Sequence, residues 1–166
     1  MSEERFLQTH NIEAAFVPVD MQTAANDGDW INLSLYEYCV IVLFKAAGTA
    51  GQDPIFTLQQ ATSAAGGSAK ALNVSTIYSK VGTLTGVANF TRITQAAGAT
   101  YIDLVSAEAQ AILAAEVRHS ELDLANGFRF INITIPDVGG NAQLGCAFYI
   151  LGGCRYSSVA MPDAKV

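Results

Sequence analysis

Apolar and polar positions follow one another in short blocks along most of the chain. Runs rich in β-branched and aromatic residues are separated by Gly, Asn, Asp and Thr, which is the pattern of strands joined by turns. The alternation is clearest in the segment Phe128 to Ile135, where Ile131, Ile133 and Ile135 share one face. The predicted strands are residues 14–19, 30–35, 38–45, 54–60, 73–81, 90–95, 100–105, 128–135 and 143–151.

Three segments carry further information about their place in the fold. Pro18 predicts that the first strand lies at a sheet edge, because proline has no backbone N–H to donate to a neighbouring strand. The segment Tyr38 to Lys45 is apolar on both faces, which predicts a strand buried in the centre of the molecule. Residues 106–118 hold five alanines and begin with Ser106, a possible N-cap, so a helix and a strand both remain open. We predict a strand there, preceded by a helical turn.

Strands spaced about ten residues apart, with no strand–helix–strand alternation, predict an all-β protein. The expected fold is an antiparallel β-sandwich or barrel, jelly-roll-like, with extended terminal arms. The expected organisation is an N-terminal arm (residues 1–13), a single domain (residues 14–156) and a C-terminal arm (residues 157–166).

The low content of charged residues predicts a domain that associates with other proteins. Charged residues make up 14% of the 166 residues, against about 25% in an average globular protein. So few charges suit a surface that is buried against other proteins. Fifteen acids against nine bases give a net charge of −6, and the bases are scattered singly, so we expect no nucleic-acid partner. The longest apolar run, residues 39–44, is far below the ~20 residues that cross a bilayer, and the N-terminus is charged. We therefore expect cytoplasmic synthesis and no membrane partner.

The residues that usually carry chemistry do not assemble into a motif. His10 and His119 have no ligand-spaced partner, and a chain made in the cytosol favours structural thiols at Cys39, Cys146 and Cys154 over a disulfide framework. A Gly-x-Ser-x-Gly elbow and a phosphate-binding loop are both missing from the sequence. We predict that the protein is not an enzyme and has no catalytic, cofactor-binding or metal-binding residues.

Two weaker signals favour structural interpretations. Asp20, Asp27 and Asp29 lie near glycine and asparagine as in a calcium loop, but the closing glutamate is missing, which favours a turn. Trp30, Tyr36 and Tyr38 form the one aromatic cluster that could stack on a sugar, and packing is the favoured interpretation. These two signals leave the main prediction unchanged.

Several stretches nevertheless resemble a known family. They are Asn11–Met21, Asn26–Trp30, Glu121-Leu122-Asp123, Asn126-Gly127-Phe128, Asp137-Val138-Gly139, Gln143-Leu144-Gly145, Tyr149-Ile150-Leu151 and Arg155-Tyr156. Together they resemble small virion structural proteins encoded in the head gene clusters of tailed bacteriophages. The resemblance covers residues 11 to 157 and rests on strand-and-turn patterns. It supplies no active-site residues and favours the strand at residues 111–118.

The resemblance implies a capsid decoration (cement) protein on the virion surface. Its partners would be the major capsid protein and copies of itself, as a homotrimer or another homo-oligomer, with no small-molecule substrate. One alternative is a tail, neck or other minor virion protein, which would be present in fewer copies per particle. A second alternative, from a different class, is a carbohydrate-binding β-sandwich module.

Overall fold

Two antiparallel sheets, packed face to face, make up the body of the protein. The computed structural model describes residues 5–86, 89–102, 109–155 and 162–165. The strands are β1 (His10–Asp20), β2 (Asn26–Asp27), β3 (Ile31–Asn32), β4 (Tyr38–Lys45), β5 (Ile55–Ala61), β6 (Lys70–Ala71), β7 (Val74–Val81), β8 (Thr91–Gly98), β9 (Thr100–Ile102), β10 (Ala111–Arg118), β11 (Phe130–Ile135) and β12 (Leu144–Gly152). One helical turn, α1 (Phe6–Thr9), precedes β1, and short 3-10 turns are formed by Leu33–Leu35, His119–Glu121 and Leu124–Asn126. Among the described residues no helix is long and apolar enough to cross a bilayer.

The strand order is that of a jelly roll. Sheet A has the order β1-β12-β4-β10-β7-β8, and sheet B has the order β2-β11-β5-β6, with β3 beside β11 and β9 beside β5. The chain leaves sheet B at Ala71 and enters sheet A at Val74, so β6 and β7 act as one strand that turns the corner between the sheets. If β2 and β3 also count as one strand, and the additional strands β8 and β9 are left aside, the order is 1-8-3-6-5 in sheet A and 2-7-4-5 in sheet B, with strand 5 (β6 and β7) shared by the two sheets. The predicted all-β sandwich is confirmed.

The core lies between the two sheets and is built from alternate residues of each strand. Ile131, Ile133 and Ile135 of β11 are fully buried, as the alternation of that segment predicted. From sheet A, Ile41 and Leu43 of β4 enter the same cluster. Each such side chain contributes about 1.5–3 kcal/mol when it is removed from water. Because only alternate residues enter the core, the core side chains occupy only the inner face of each sheet.

The alanine-rich segment forms a strand. Residues 111–118 pair along their whole length with β4 and over residues 111–114 with β7, so the predicted strand is confirmed. Ladder hydrogen bonds on both sides and burial of Leu113 and Val117 outweigh the helix preference of alanine. The helical turn predicted at the start of residues 106–118 and the end of the predicted strand at residues 100–105 fall largely on residues 103–108, which lie outside the described part of the chain.

The predicted strand at residues 30–35 is wrong over its second half. Only Ile31–Asn32 pair with β11, and Leu33–Leu35 form a 3-10 turn. The cause is local, because the side-chain Oδ1 of Asn32 accepts a hydrogen bond from the backbone N–H of Ser34 at 2.9 Å. Such side-chain-to-backbone bonds offer the chain an alternative to the ladder.

The described parts of the two terminal segments lie on the body of the protein, and extended arms are not confirmed. Residues 10–13 belong to β1 and pair with β12, so the first strand starts before Ala14. At the other end Ala164 is fully buried, and its carbonyl accepts a hydrogen bond from the N–H of Asn32 at 2.8 Å. Residues 157–161 lie outside the described ranges. β1 forms an edge of sheet A, as Pro18 predicted.

Candidate functional site

The outer face of sheet A, which points away from the core, is apolar across its central strands. Its apolar residues are Ile12 and Ala14 of β1, Leu144, Cys146, Phe148 and Ile150 of β12, Val40, Val42 and Phe44 of β4, Ile112 and Ala114 of β10, and Tyr78 of β7. We call this set the outer face of sheet A. Antiparallel sheets commonly have one apolar face and one polar, solvated face, so apolar residues on both faces are unusual.

Several of these side chains are open to solvent. Ile12 is 50% exposed, Phe44 45%, Tyr78 41% and Leu144 60%. Val42 and Ala114 lie at the middle of the face and are nearly buried, because larger neighbours on adjacent strands surround them.

A shallow cavity deepens one corner of this face. It has a volume of about 230 Å³ and is lined by Pro18, Phe44, Gln110, Leu144 and Cys146, among others. Pro18 lies in a part of β1 where the register with β12 shifts, so the strand bends away from its neighbour there. The corner can therefore receive an apolar side chain from another molecule.

Charged groups on this side of sheet A lie beside some of the apolar residues, since Lys80 is level with Ile112 and Glu116 is level with Val40 on the neighbouring strands. On the β7–β8 side, Lys80 and Arg92 form no ion pair within the described ranges. At one end Arg118 lies 3.8 Å from a carboxylate oxygen of Glu37 and 3.5 Å from one of Glu116. An apolar centre with a charged rim is the usual anatomy of a protein–protein interface.

The sequence prediction that Tyr38–Lys45 is buried in the centre of the molecule needs correction. The strand is central in sheet A, and its inner residues Cys39, Ile41 and Leu43 are fully buried. On its outer side Val42 is 6% exposed and Phe44 is 45% exposed, so the strand is open to solvent at its Phe44 end. The missing alternation in YCVIVLFK therefore reflects an apolar outer face of the sheet, and this was the signal that could have found it.

The two histidines lie in separate hydrogen-bonded positions. The Nε2 atom of His10 is 2.8 Å from the hydroxyl of Tyr38, and its ring stacks on Phe6 with centroids 4.1 Å apart. The Nδ1 atom of His119 is 2.8 Å from a guanidinium nitrogen of Arg155. Burial and the nearby positive charges of Arg155 and Arg129 lower the pKa of His119. Both rings hold local structure.

Cys39, Cys146 and Cys154 are not joined in disulfides. Cys39 is fully buried in the core, and burial raises its pKa well above the usual range of a thiol. Cys146 lies on the outer face of sheet A, and partial burial raises its pKa as well. Within the described ranges no three His, Cys, Asp or Glu side chains come together as a set that could hold a metal ion.

The acidic cluster and the aromatic cluster that the sequence suggested are each dispersed in the structure. Asp20 accepts hydrogen bonds from the backbone N–H groups of Gln22 at 3.1 Å and Gln143 at 2.9 Å, which anchors a turn. Asp29 pairs with Lys165 at 2.7 Å instead of joining Asp20.

Trp30, Tyr36 and Tyr38 do not form a shared exposed platform. Tyr36 is fully buried and its hydroxyl donates to the carbonyl of Pro162. The indole of Trp30 packs against Gly66, where an added Cβ would lie 2.9 Å from its Nε1 atom, and Gly66 has a positive φ of 73°. The flat aromatic surface that a sugar-binding module needs is therefore not built from this cluster.

Comparisons with protein-family models, with curated proteins and with solved structures found no match to this chain.

Proposed function

We propose that this chain is a structural virion protein of a tailed bacteriophage, a capsid decoration protein that binds and stabilises the lattice of the major capsid protein. The observation that supports it best is the apolar outer face of sheet A. A β-sandwich that leaves such a face partly exposed is suited to work in an assembly. The resemblance to head structural proteins then indicates which assembly.

The mechanism is non-covalent and follows from mass action. A protein that binds the assembled lattice and not free capsid subunits stabilises the assembled state by its binding free energy. Broad apolar contact supplies affinity, and the charged rim around the face selects the orientation of docking. The face is carried by strands that are hydrogen-bonded to their neighbours in sheet A.

The experiment compares phage heads purified with and without this protein. We expect heads that carry it to withstand a higher temperature before the shell opens, and we expect many copies per particle. Adding the purified protein to bare heads should restore the heat resistance. Equal heat resistance of the two kinds of head would contradict a cement role, and only a few copies per particle would favour a tail or neck protein.

A pair of variants tests whether the outer face of sheet A is needed for this effect. Phe44 on that face and Ile102 on β9 of sheet B are almost equally exposed, at 45% and 44%. We expect Phe44→Asp to abolish the protection of heads and Ile102→Asp to retain it. Loss of protection in both variants would show that the face has no special part in the effect.

A further inference from the structure

Residues 162–165, which we call the C-terminal strap, lie in a site on the body of the protein. The site is formed by residues from β1 of sheet A, from β3 of sheet B and from the segments on either side of β3. We propose that it is a peptide-binding site for a short segment in which a small apolar residue is followed by a basic one, and that the strap is its resident ligand. This inference concerns the protein alone and does not depend on the capsid role.

Two backbone carbonyl groups of the strap are bound by the body. The carbonyl of Pro162 accepts hydrogen bonds from the hydroxyl of Tyr36 and, at 3.4 Å, from the side-chain amide of Asn11. The carbonyl of Ala164 accepts one from the backbone N–H of Asn32 at 2.8 Å. Hydrogen bonds to the main chain supply affinity for a peptide whatever its side chains are. The site therefore recognises a peptide backbone.

The size of one side chain is also selected. Ala164 is fully buried and belongs to the hydrophobic core cluster, whereas the adjacent Asp163 is exposed. A larger side chain in place of Ala164 would need space that a close-packed core does not offer. The exposed position of Asp163 sets no such limit. The site therefore selects a small residue at one position only.

The charge of the next residue completes the recognition. The Nζ atom of Lys165 lies 2.7 Å from the Oδ2 atom of Asp29. These two side chains are 34% and 64% exposed, so the pair adds little affinity, but it favours a positive charge at this position. Within the strap, the Oδ1 atom of Asp163 accepts a hydrogen bond from the backbone N–H of Lys165 at 2.8 Å. The preferred ligand therefore has a lysine or arginine after the small residue.

The strap is a small part of the fold, so it can leave its site while the body stays folded. Its described residues add one buried alanine to a core cluster whose other buried members lie between residues 15 and 151. A segment with so few buried apolar contacts opens at a lower free energy than the core strands do. A matching peptide from solution can then occupy the site in its place.

The test is an NMR titration of the full-length protein, with the backbone amide of Asn32 as the reporter. In the variant Ala164→Asn a polar and larger side chain should expel the strap, and the Asn32 signal should move. An unlabelled peptide with the sequence of residues 160–166 should return this signal to its wild-type position, because its carbonyl replaces that of the strap. We expect half-saturation at about 1 mM, since few contacts hold the peptide.

One protein variant and two altered peptides serve as controls. Asp163→Asn places the same new residue at the adjacent exposed position and keeps an acceptor for the N–H of Lys165, so the Asn32 signal should stay near its wild-type position. A peptide that carries Ala164→Asn should not restore the signal of the expelled variant. A peptide that carries Lys165→Glu should bind about threefold more weakly, because it loses the ion pair.

Four outcomes would overturn the inference. They are an Ala164→Asn protein that loses its signal dispersion and is therefore unfolded, an Asn32 signal that this variant leaves in place, a signal that several millimolar peptide does not restore, and equal restoration by the peptide that carries Ala164→Asn. Because no phage heads are involved, each of these outcomes would leave the capsid proposal standing. Heads that gain no heat resistance would contradict the capsid proposal and leave this inference unaffected.

Discussion

The outer faces of the two sheets differ in chemistry although both sheets cover the same core. On sheet A, β4 and β12 place Val40, Val42, Phe44, Cys146, Phe148 and Ile150 on the outer side. On sheet B, β5 and β11 place Ile55, Thr57, Gln59, Phe130, Asn132 and Thr134 there. Two of the three outer residues on each sheet B strand are polar, and on the sheet A strands only a thiol interrupts the hydrocarbon. The outer side of sheet B is therefore the more polar of the two, although Asn132 on it is only 2% exposed.

The same contrast exists within a single strand. In β4, Leu43 is fully buried in the core and its neighbour Phe44 is 45% exposed, although both are large apolar residues. Leu43 stabilises the folded protein. Phe44 adds little to that stability unless another molecule covers its side chain. Stability and association can therefore be separated at adjacent positions, which allows the comparison to be tested.

The largest expected effect distinguishes the two faces of β4. Leu43→Ala should lower the free energy of unfolding by about 2–5 kcal/mol, because it opens a cavity in a packed core. Phe44→Ala should lower it by under about 1 kcal/mol when measured on dilute protein, because its side chain is already largely in water. Urea titration followed by circular dichroism gives both values. Equal losses would mean that the outer face belongs to the core of the monomer.

The smallest expected effect lies away from both faces, at His119. The pKa of His119 is lowered from 6.5 by burial and by Arg155 and Arg129, so the unfolded chain takes up the proton first as the pH falls. The neutral ring's contribution to stability is therefore complete above pH 6.5 and is lost as the pH falls from there toward the lowered pKa. His119→Gln should show a smaller drop in Tm than the wild type between about pH 7.5 and about pH 5.5. An unchanged drop would show that other groups set the acid sensitivity.

Much of the fold could be predicted from the sequence because strand periodicity is a local property. The isoleucines of β11 alternate with polar residues, and they occupy the core as that pattern predicted. The 3-10 turn at residues 33–35 could not be predicted from alternation, since it depends on a hydrogen bond from the Ser34 N–H to the Asn32 side chain. The positions of residues 162–165 depend on a long-range contact of Ala164 with Asn32, which no local pattern contains.

The outer face of sheet A was harder to predict because hydrophobicity alone does not say what covers a residue. A strand that is apolar on both sides can have a layer of its own protein on each side or only on one. The sequence of β4 fits both arrangements, and only the exposed fractions of Ile12, Phe44 and Leu144 show that this face is partly open to solvent.

The most direct measurement follows a natural reporter on the outer face of sheet A. Cys146 lies on that face, in the corner that Phe44 and Leu144 also line, while Cys154 lies just after β12, and both side chains are partly buried. Alkylation with N-ethylmaleimide, followed by peptide mass spectrometry, gives the reaction rate of each thiol in the free protein and in protein bound to phage heads. If the face docks on the capsid lattice, Cys146 reacts more slowly on heads and the rate at Cys154 stays the same. Equal rates at Cys146 in the free and the bound protein would contradict the central claim.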